Sequence, residues 1–369
     1  MLRWNGTVTI HLLFLAALVP ACADEGPAPG GVDTEVASAF AEGQSPGGSR
    51  GGTCGQIEEF PASSASQGLD GPFRIVTGPD NLLWFTTGQL ALGRMSTDGQ
   101  THTPVAIPSA GNSRLIVGPD DNIWVSTFQS PVSVTRVSRH NHATLEIPLP
   151  DLTFVADITA GPGGAVWALG YEYLARVTPS GRTTLFPIPT DDAAGSSDRI
   201  VTGPDGNLWF TRGPIPALGF YRVTPRGDVT RFPVTTPGGA IELAVGPDHA
   251  IWYTHGTLGP GGNGIGRITM DGVTTNVVQL PDSTGAPTDL PLAITAGPDR
   301  KMYFTTYLVD PLNYIGQVTL DGTLRKFEVP TAFAASFGIT TGPDGNLWFT
   351  ETNNNLIGRL TPCQAGHRR

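Results

Sequence analysis

Nine ionisable residues fall at fixed offsets around a recurring Gly-Pro turn, and their mixture of types is the first sign of a site. Arg74, Arg114, Asp157, Arg199 and Glu242 stand four residues before a turn glycine, and Asp198 one position earlier still. Arg212, His255 and Glu351 stand nine residues after one. Guanidinium groups anchor a carboxylate or carbonyl through forked hydrogen bonds, and a histidine near carboxylates can act as a base or a ligand. The plainer alternative is a solvated rim whose charges pair with one another. His102, His140, His142 and His249 fall in predicted turns or outer strands, with no spacing that suits zinc. The chain has no Gly-Lys phosphate loop, serine elbow or paired-cysteine motif.

The elements that must position these residues come from one repeated motif. Ile75 to Thr86 (IVTGPDNLLWFT) returns as Ile200 to Thr211 and Ile339 to Thr350. Weaker copies run from Leu115 to Ser126, Ile158 to Leu169, Leu243 to Thr254 and Ile294 to Thr305, seven in all. The turn glycines, Gly78 to Gly342, are 40 to 51 residues apart, the length of a four-stranded propeller blade. Each copy reads as a short inner strand, a Gly-Pro-Asp-Gly turn and a Leu-Trp-Phe-Thr strand. A third strand such as Leu92-Gly93-Arg94-Met95 follows, then an outer strand ending in proline. The expected fold is all-β, a seven-bladed β-propeller. In that fold both sets of ionisable residues lie at one end of the central channel, where propellers bind ligands.

The termini are expected to close the ring. The seventh copy stops after its third strand, Ile357 to Pro362, and the missing outer-strand pattern, Ile57 to Pro61, precedes the first copy. Cys54 and Cys363 then flank the place where a hairpin turn would have joined these strands, and a disulfide between them is expected.

Composition agrees. Gly (48) and Pro (33) are plentiful and charged residues make up only 15%, as many short strands and tight turns require. The net charge of −10 disfavours a nucleic-acid partner. Residues 1–22 read as an export signal, with Arg3 before a short apolar run at Leu12 to Val19 that is too brief to span a bilayer. Val19-Pro20-Ala21-Cys22 resembles a lipobox, so Cys22 is the lipidation candidate, with ordinary cleavage near Ala21 or Ala23 as the alternative. Residues 23–53 read as a flexible Gly/Pro/Ser-rich tether, 54–363 as the propeller and 364–369 as a tail. An exported protein is expected: periplasmic, secreted, or held at the cell surface through a lipid on Cys22.

The motif, followed by Leu356-Ile357-Gly358-Arg359-Leu360-Thr361 in the seventh copy, closely resembles the virginiamycin B lyase, or streptogramin lyase, family across residues 54–363. The resemblance implies a carbon–oxygen lyase that opens a cyclic depsipeptide by elimination, with a bound magnesium ion. The family's base and its helper are histidines just before the inner strands of the sixth and seventh copies. Leu292 and Phe337 occupy those positions here, Ala335 stands where the family has a glutamate, and Phe73 where it has a tyrosine. Neither leucine nor phenylalanine can take a proton. Two functions follow as expectations. One is a divergent, monomeric binding protein that takes a small molecule, peptide or glycan at the channel mouth. The alternative is a lyase with a rebuilt Mg²⁺ site around His255, Glu242 and Glu351.

Overall fold

The computed structural model describes residues 54–63, 71–108, 114–127, 131–190, 198–212, 219–234, 239–256, 262–280, 289–307 and 313–363. The export signal with Cys22, the tether and the 364–369 tail lie outside the described residues.

Each copy of the motif folds into one antiparallel four-stranded sheet, seven in all. The first of them runs Ile75–Thr77, Leu83–Thr86, Ala91–Met95 and Thr101–Ala106 from channel to rim. The inner strands of successive sheets touch one another in a closed circuit, so the molecule is a seven-bladed β-propeller. Beyond strands, its described residues hold a single 3-10 turn, Thr352–Asn354.

The turn residues do more than reverse the chain. A Cβ on Gly78 would sit 2.3 Å from the Trp84 ring, so glycine is needed for the indole to lie flat against the turn. From there Trp84 Nε1 donates to Asp80 Oδ1 at 2.9 Å. The same aspartate–indole bond forms in the second, fourth, fifth and seventh blades, at Asp120, Asp205, Asp248 and Asp344. The third blade lacks the aspartate, and Trp167 donates to the Pro162 carbonyl instead. In the sixth, the Tyr303 hydroxyl donates to Asp299. Each of these rings is wholly buried, and most of the core lies between blades. Trp84 packs on Leu115, Ile123 and Val125 of the second blade, and Trp348 on Ile75, Leu83 and Phe85 of the first. A large aromatic that also satisfies its one polar hydrogen brings much apolar area to such a seam without a buried donor left over.

Ring closure follows the expected exchange. Strand Ile57–Pro61 pairs antiparallel with Leu356–Leu360, from Ile57↔Leu360 to Pro61↔Leu356, and completes the seventh sheet. Phe60 lies 5.5 Å from Trp348, and Glu59 accepts from the Thr331 amide at 2.9 Å and from its hydroxyl at 2.8 Å. The Cys54–Cys363 disulfide is formed, joining residues 309 apart in sequence with Cα atoms 4.7 Å apart. With Ile57–Pro61 in place, Leu356–Leu360 is paired on both sides and is no longer an edge strand.

The inner strand has three residues in the first, second, fourth and seventh blades and five in the third, Asp157–Gly161, but the fifth and sixth run for seven residues, Gly239–Val245 and Leu290–Ala296. Both contain a register shift, between Ala240 and Glu242 and between Pro291 and Ile294. Such a bulge lets a strand continue past the motif while turning one side chain out of the pleat. In the fifth blade the residue left out of the pairing is Ile241, while Glu242 stays opposite Thr254.

Candidate functional site

The residue before each motif isoleucine is held by the far end of the same motif. Arg74, Arg114, Arg199, Glu242, Ala293 and Gly338 donate their backbone N–H to the hydroxyls of Thr86, Ser126, Thr211, Thr254, Thr305 and Thr350, at 3.0 to 3.2 Å. Two of these hydroxyls also donate to the next blade, Thr254 to the Leu292 carbonyl at 2.7 Å and Thr350 to the Phe73 carbonyl at 3.1 Å. Leu169 replaces the hydroxyl in the third blade. There the Asp157 carboxylate takes over, accepting from its neighbour Ile158 N at 2.9 Å and from Ile200 N of the fourth blade at 3.0 Å. A hydroxyl residue closes six of the seven copies in the sequence, but nothing in the repeat alone marks it as the positioner of this ring.

Five charged side chains so placed converge on the channel. Glu242 Oε2 accepts from Arg114 Nη1 at 2.7 Å and from Arg74 Nη1 at 2.8 Å. Arg199 Nε lies 3.9 Å from the same oxygen. Arg114 Nε lies 3.2 Å from Asp157 Oδ1. The backbone steadies the outer members: Arg74 Nη1 also reaches the Phe337 carbonyl at 3.2 Å, and Arg199 Nη1 the Asp198 carbonyl at 2.9 Å. Arg74, Arg114, Asp157 and Glu242 of this cluster, with inner-strand residues including Ile116, Thr159, Val201 and Ile294, line a cavity of about 240 Å³, and Arg199 stands next to it through its contact with Glu242.

The electrostatics are those of several cations sharing too few anions. Burial and then the neighbouring Arg114 pull Arg74 down to about 9, against the pull of Glu242. Arg199 is lowered for the same two reasons. Burial disfavours the Glu242 carboxylate, yet Arg114, Arg74 and Arg199 outweigh it and hold Glu242 down at about 2. Arg114 loses by burial but gains more from Asp157 and Glu242, so its charge is held more firmly than usual. Asp157 is raised, mainly by burial, despite Arg114.

The other candidates stand apart from this cluster. Asp198 points away from the channel and binds Arg212 Nη2 at 3.1 Å, while Arg212 also donates to the carbonyls of Gly170, Tyr171 and Pro189. That pair ties the third and fourth blades together, and burial raises Asp198 to about 6 despite Arg212. His255 is fully buried, with Nδ1 2.7 Å from the Gly262 carbonyl and Nε2 3.3 Å from Asn276 Oδ1. Burial lowers its pKa against those two partners. Glu351 is also fully buried, beside the Glu59 carboxylate. Burial, and next the Glu59 carboxylate, raise it to about 8.

At the two family histidine positions, Leu292 is buried and Phe337 half-buried. Phe337 stacks on Phe73 at 4.6 Å and on Tyr307 at 6.2 Å. The donor set does not suit a magnesium ion. The channel carboxylates are engaged by guanidinium groups, Glu351 favours its neutral form, and no group of three or more His, Cys, Asp or Glu suited to a metal occurs among the described residues. What the cluster can do is hold an anion.

Comparison with known proteins fits this scaffold. The model of the virginiamycin B lyase family matches residues 31–212 and 157–366. A virginiamycin B lyase of Nocardia farcinica is 27% identical over 219 residues, 58% of this chain and 70% of that protein. A streptogramin B lyase structure superposes with a TM-score of 0.69 at 26% identity, covering 82% of this chain and 96% of the other. A catalytically inactive virginiamycin B lyase from Staphylococcus aureus, solved with quinupristin, gives 0.68 at 26% identity, covering 82% and 99%. With a family model that spans every blade and lyase structures that overlay the whole ring, this chain belongs to the virginiamycin B lyase family.

Proposed function

We propose that this chain is an exported binding protein that keeps the propeller of its lyase relatives and uses the channel mouth as a ligand seat. The observation that carries this reading is the state of His255, the histidine candidate for a base. His255 is wholly buried in the fifth blade and already engaged by Gly262 and Asn276, while Leu292 and Phe337 stand at the family's histidine positions. A proton abstraction needs a base within hydrogen-bond reach of a substrate, and an apolar pair cannot supply one. The cavity, by contrast, is open to a ligand at the ring of charges and offers preorganised donors.

Export is supported by the export signal read in residues 1–22 and by the Cys54–Cys363 disulfide, a bond that persists in oxidising compartments. The test is incubation of the purified full chain with a type B streptogramin and Mg²⁺, followed by mass spectrometry. The intact macrocycle is expected. Ring opening that His255→Ala abolishes would overturn the reading in favour of a rebuilt lyase.

A further inference from the structure

Three guanidinium groups meet two carboxylates in the channel. Counting Arg74, Arg114 and Arg199 against Asp157 and Glu242 leaves one positive charge in excess. Pairing Asp198 with Arg212 does not alter that balance. The excess is also visible atom by atom. Arg74 Nε, Arg114 Nη2 and Arg199 Nε are buried without a hydrogen-bond acceptor, and Arg114 as a whole is only 7% exposed. An unpaired buried cation with idle donors is costly unless something completes it. Nothing else in the ring does so, because the sixth and seventh blades contribute Ala293 and Gly338 at the equivalent positions.

Those two small residues open the cavity on one side only. Gly338 is also forced by closeness, since a Cβ there would sit 2.8 Å from the Phe73 carbonyl. Beside them stands the Phe73–Phe337–Tyr307 stack, with the Arg74 guanidinium 5.1 Å from the Phe73 ring centre. The cavity therefore has a cationic side and an apolar side at Ala293, Ile294 and Gly338, with the aromatic stack next to that side rather than in the lining.

We propose that the channel mouth binds a small organic monoanion, an aromatic or alicyclic carboxylate, with its head group among Arg74, Arg114 and Arg199 and its apolar body toward Ala293 and Gly338. The assignment rests on the reading of the mouth as a ligand seat and names the chemistry of what sits there. A carboxylate satisfies the idle donors in a forked geometry and cancels the surplus charge in one step.

The test is calorimetric titration of the full-length protein with phenylacetate, phenylacetamide and inorganic phosphate. Phenylacetate is expected to bind at least about tenfold more tightly than the neutral amide and than phosphate. Arg114→Gln is expected to weaken phenylacetate by about tenfold or more, and Glu242→Gln to strengthen it by several-fold because a competing anion is removed. Thermal melts establish that each variant is folded. Since a merely structural Glu242 would not yield tighter binding, the opposite signs of the two variants separate recognition from collapse. Equal binding of amide and carboxylate, or weaker binding by Glu242→Gln, overturns the proposal. Phosphate as tight as phenylacetate overturns the organic part of it. If no carboxylate binds at ~10 mM while an uncharged peptide or glycan protects the mouth from hydrogen exchange, the anion falls and the seat stands. If phenylacetate binds and a streptogramin is also opened, the anion assignment stands and the non-catalytic reading falls.

Discussion

Glu242 and Arg114 meet across the channel at 2.7 Å although 128 residues separate them in sequence, so a single ion pair spans the ring from the fifth blade to the second. A side-chain hydroxyl holds the backbone of each, Thr254 for Glu242 and Ser126 for Arg114. Because Arg74 shares the same carboxylate oxygen, removing Glu242 leaves two guanidinium groups without it at once. Glu242→Ala is expected to cost roughly 3–5 kcal/mol, the range for uncovering buried charges. Denaturant titration of the variant against the parent checks it, and a loss below about 1 kcal/mol would show that the charges tolerate separation.

The disulfide closes nearly the whole chain into one loop of 309 residues. In the chain-entropy account such a loop is worth on the order of 5 kcal/mol. Cys54→Ser is expected to lower the melting temperature clearly, and reductant to do the same to the parent but not to the variant. Equal melting of oxidised and reduced parent protein would show that strand pairing alone closes the ring.

Glu351 makes stability fall with rising pH. Burial and Glu59 lift it from 4.5 to about 8, so the folded chain keeps a proton that the unfolded chain releases. Its contribution is fully present below pH 4.5 and is lost progressively up to about 8, by at most about 1.4 kcal/mol per pH unit. Glu351→Gln should flatten that part of the profile and melt higher than the parent at pH 8 or above. Melting curves from pH 4 to 9 read it directly (~0.5-unit steps suffice), and parallel profiles would mean the carboxyl titrates normally.

Thr350 accepts from Gly338 N and donates to the Phe73 carbonyl, joining the last blade to the first. Thr350→Val keeps the shape and deletes both bonds, leaving buried groups unpaired, and is expected to cost about 1–3 kcal/mol. Thr350→Ser should retain most of the stability. If valine and serine melt alike, the hydroxyl is not what holds the junction.

Much of the ring was legible because its grammar is local. A turn with proline and glycine, an aromatic strand and a regular spacing fix each blade, and the misplaced strand Ile57–Pro61 with its two cysteines fixes closure. The site was legible by halves. Residues just before the inner strands converge as expected, since only that strand borders the channel. His255, Arg212 and Glu351 share the same end of their sheets but belong to the second strand, which lies one interstrand spacing of about 4.8 Å farther out and is covered on both sides. Asp198 and Arg199 are adjacent, so their side chains part to opposite directions, one to Arg212 and one to the channel. The bulge just before Glu242 has no signature in the repeat, since it arises where Ile241 is left out of the pairing. The turn aspartates were read for the turn alone. Their bond to an indole four residues on appears only once the ring lies across the glycine.

Borrowing the final outer strand from the N-terminus imposes an order on synthesis. Ile57–Pro61 leaves the ribosome ahead of all seven motif copies, and its partner Leu356–Leu360 only after the other six sheets. Until then a strand must wait without its mate while six sheets assemble beside it. The wheel therefore locks only once its seventh blade has been made, and a chain truncated before Leu356 would stay unlatched, with its first strand free to seek another copy.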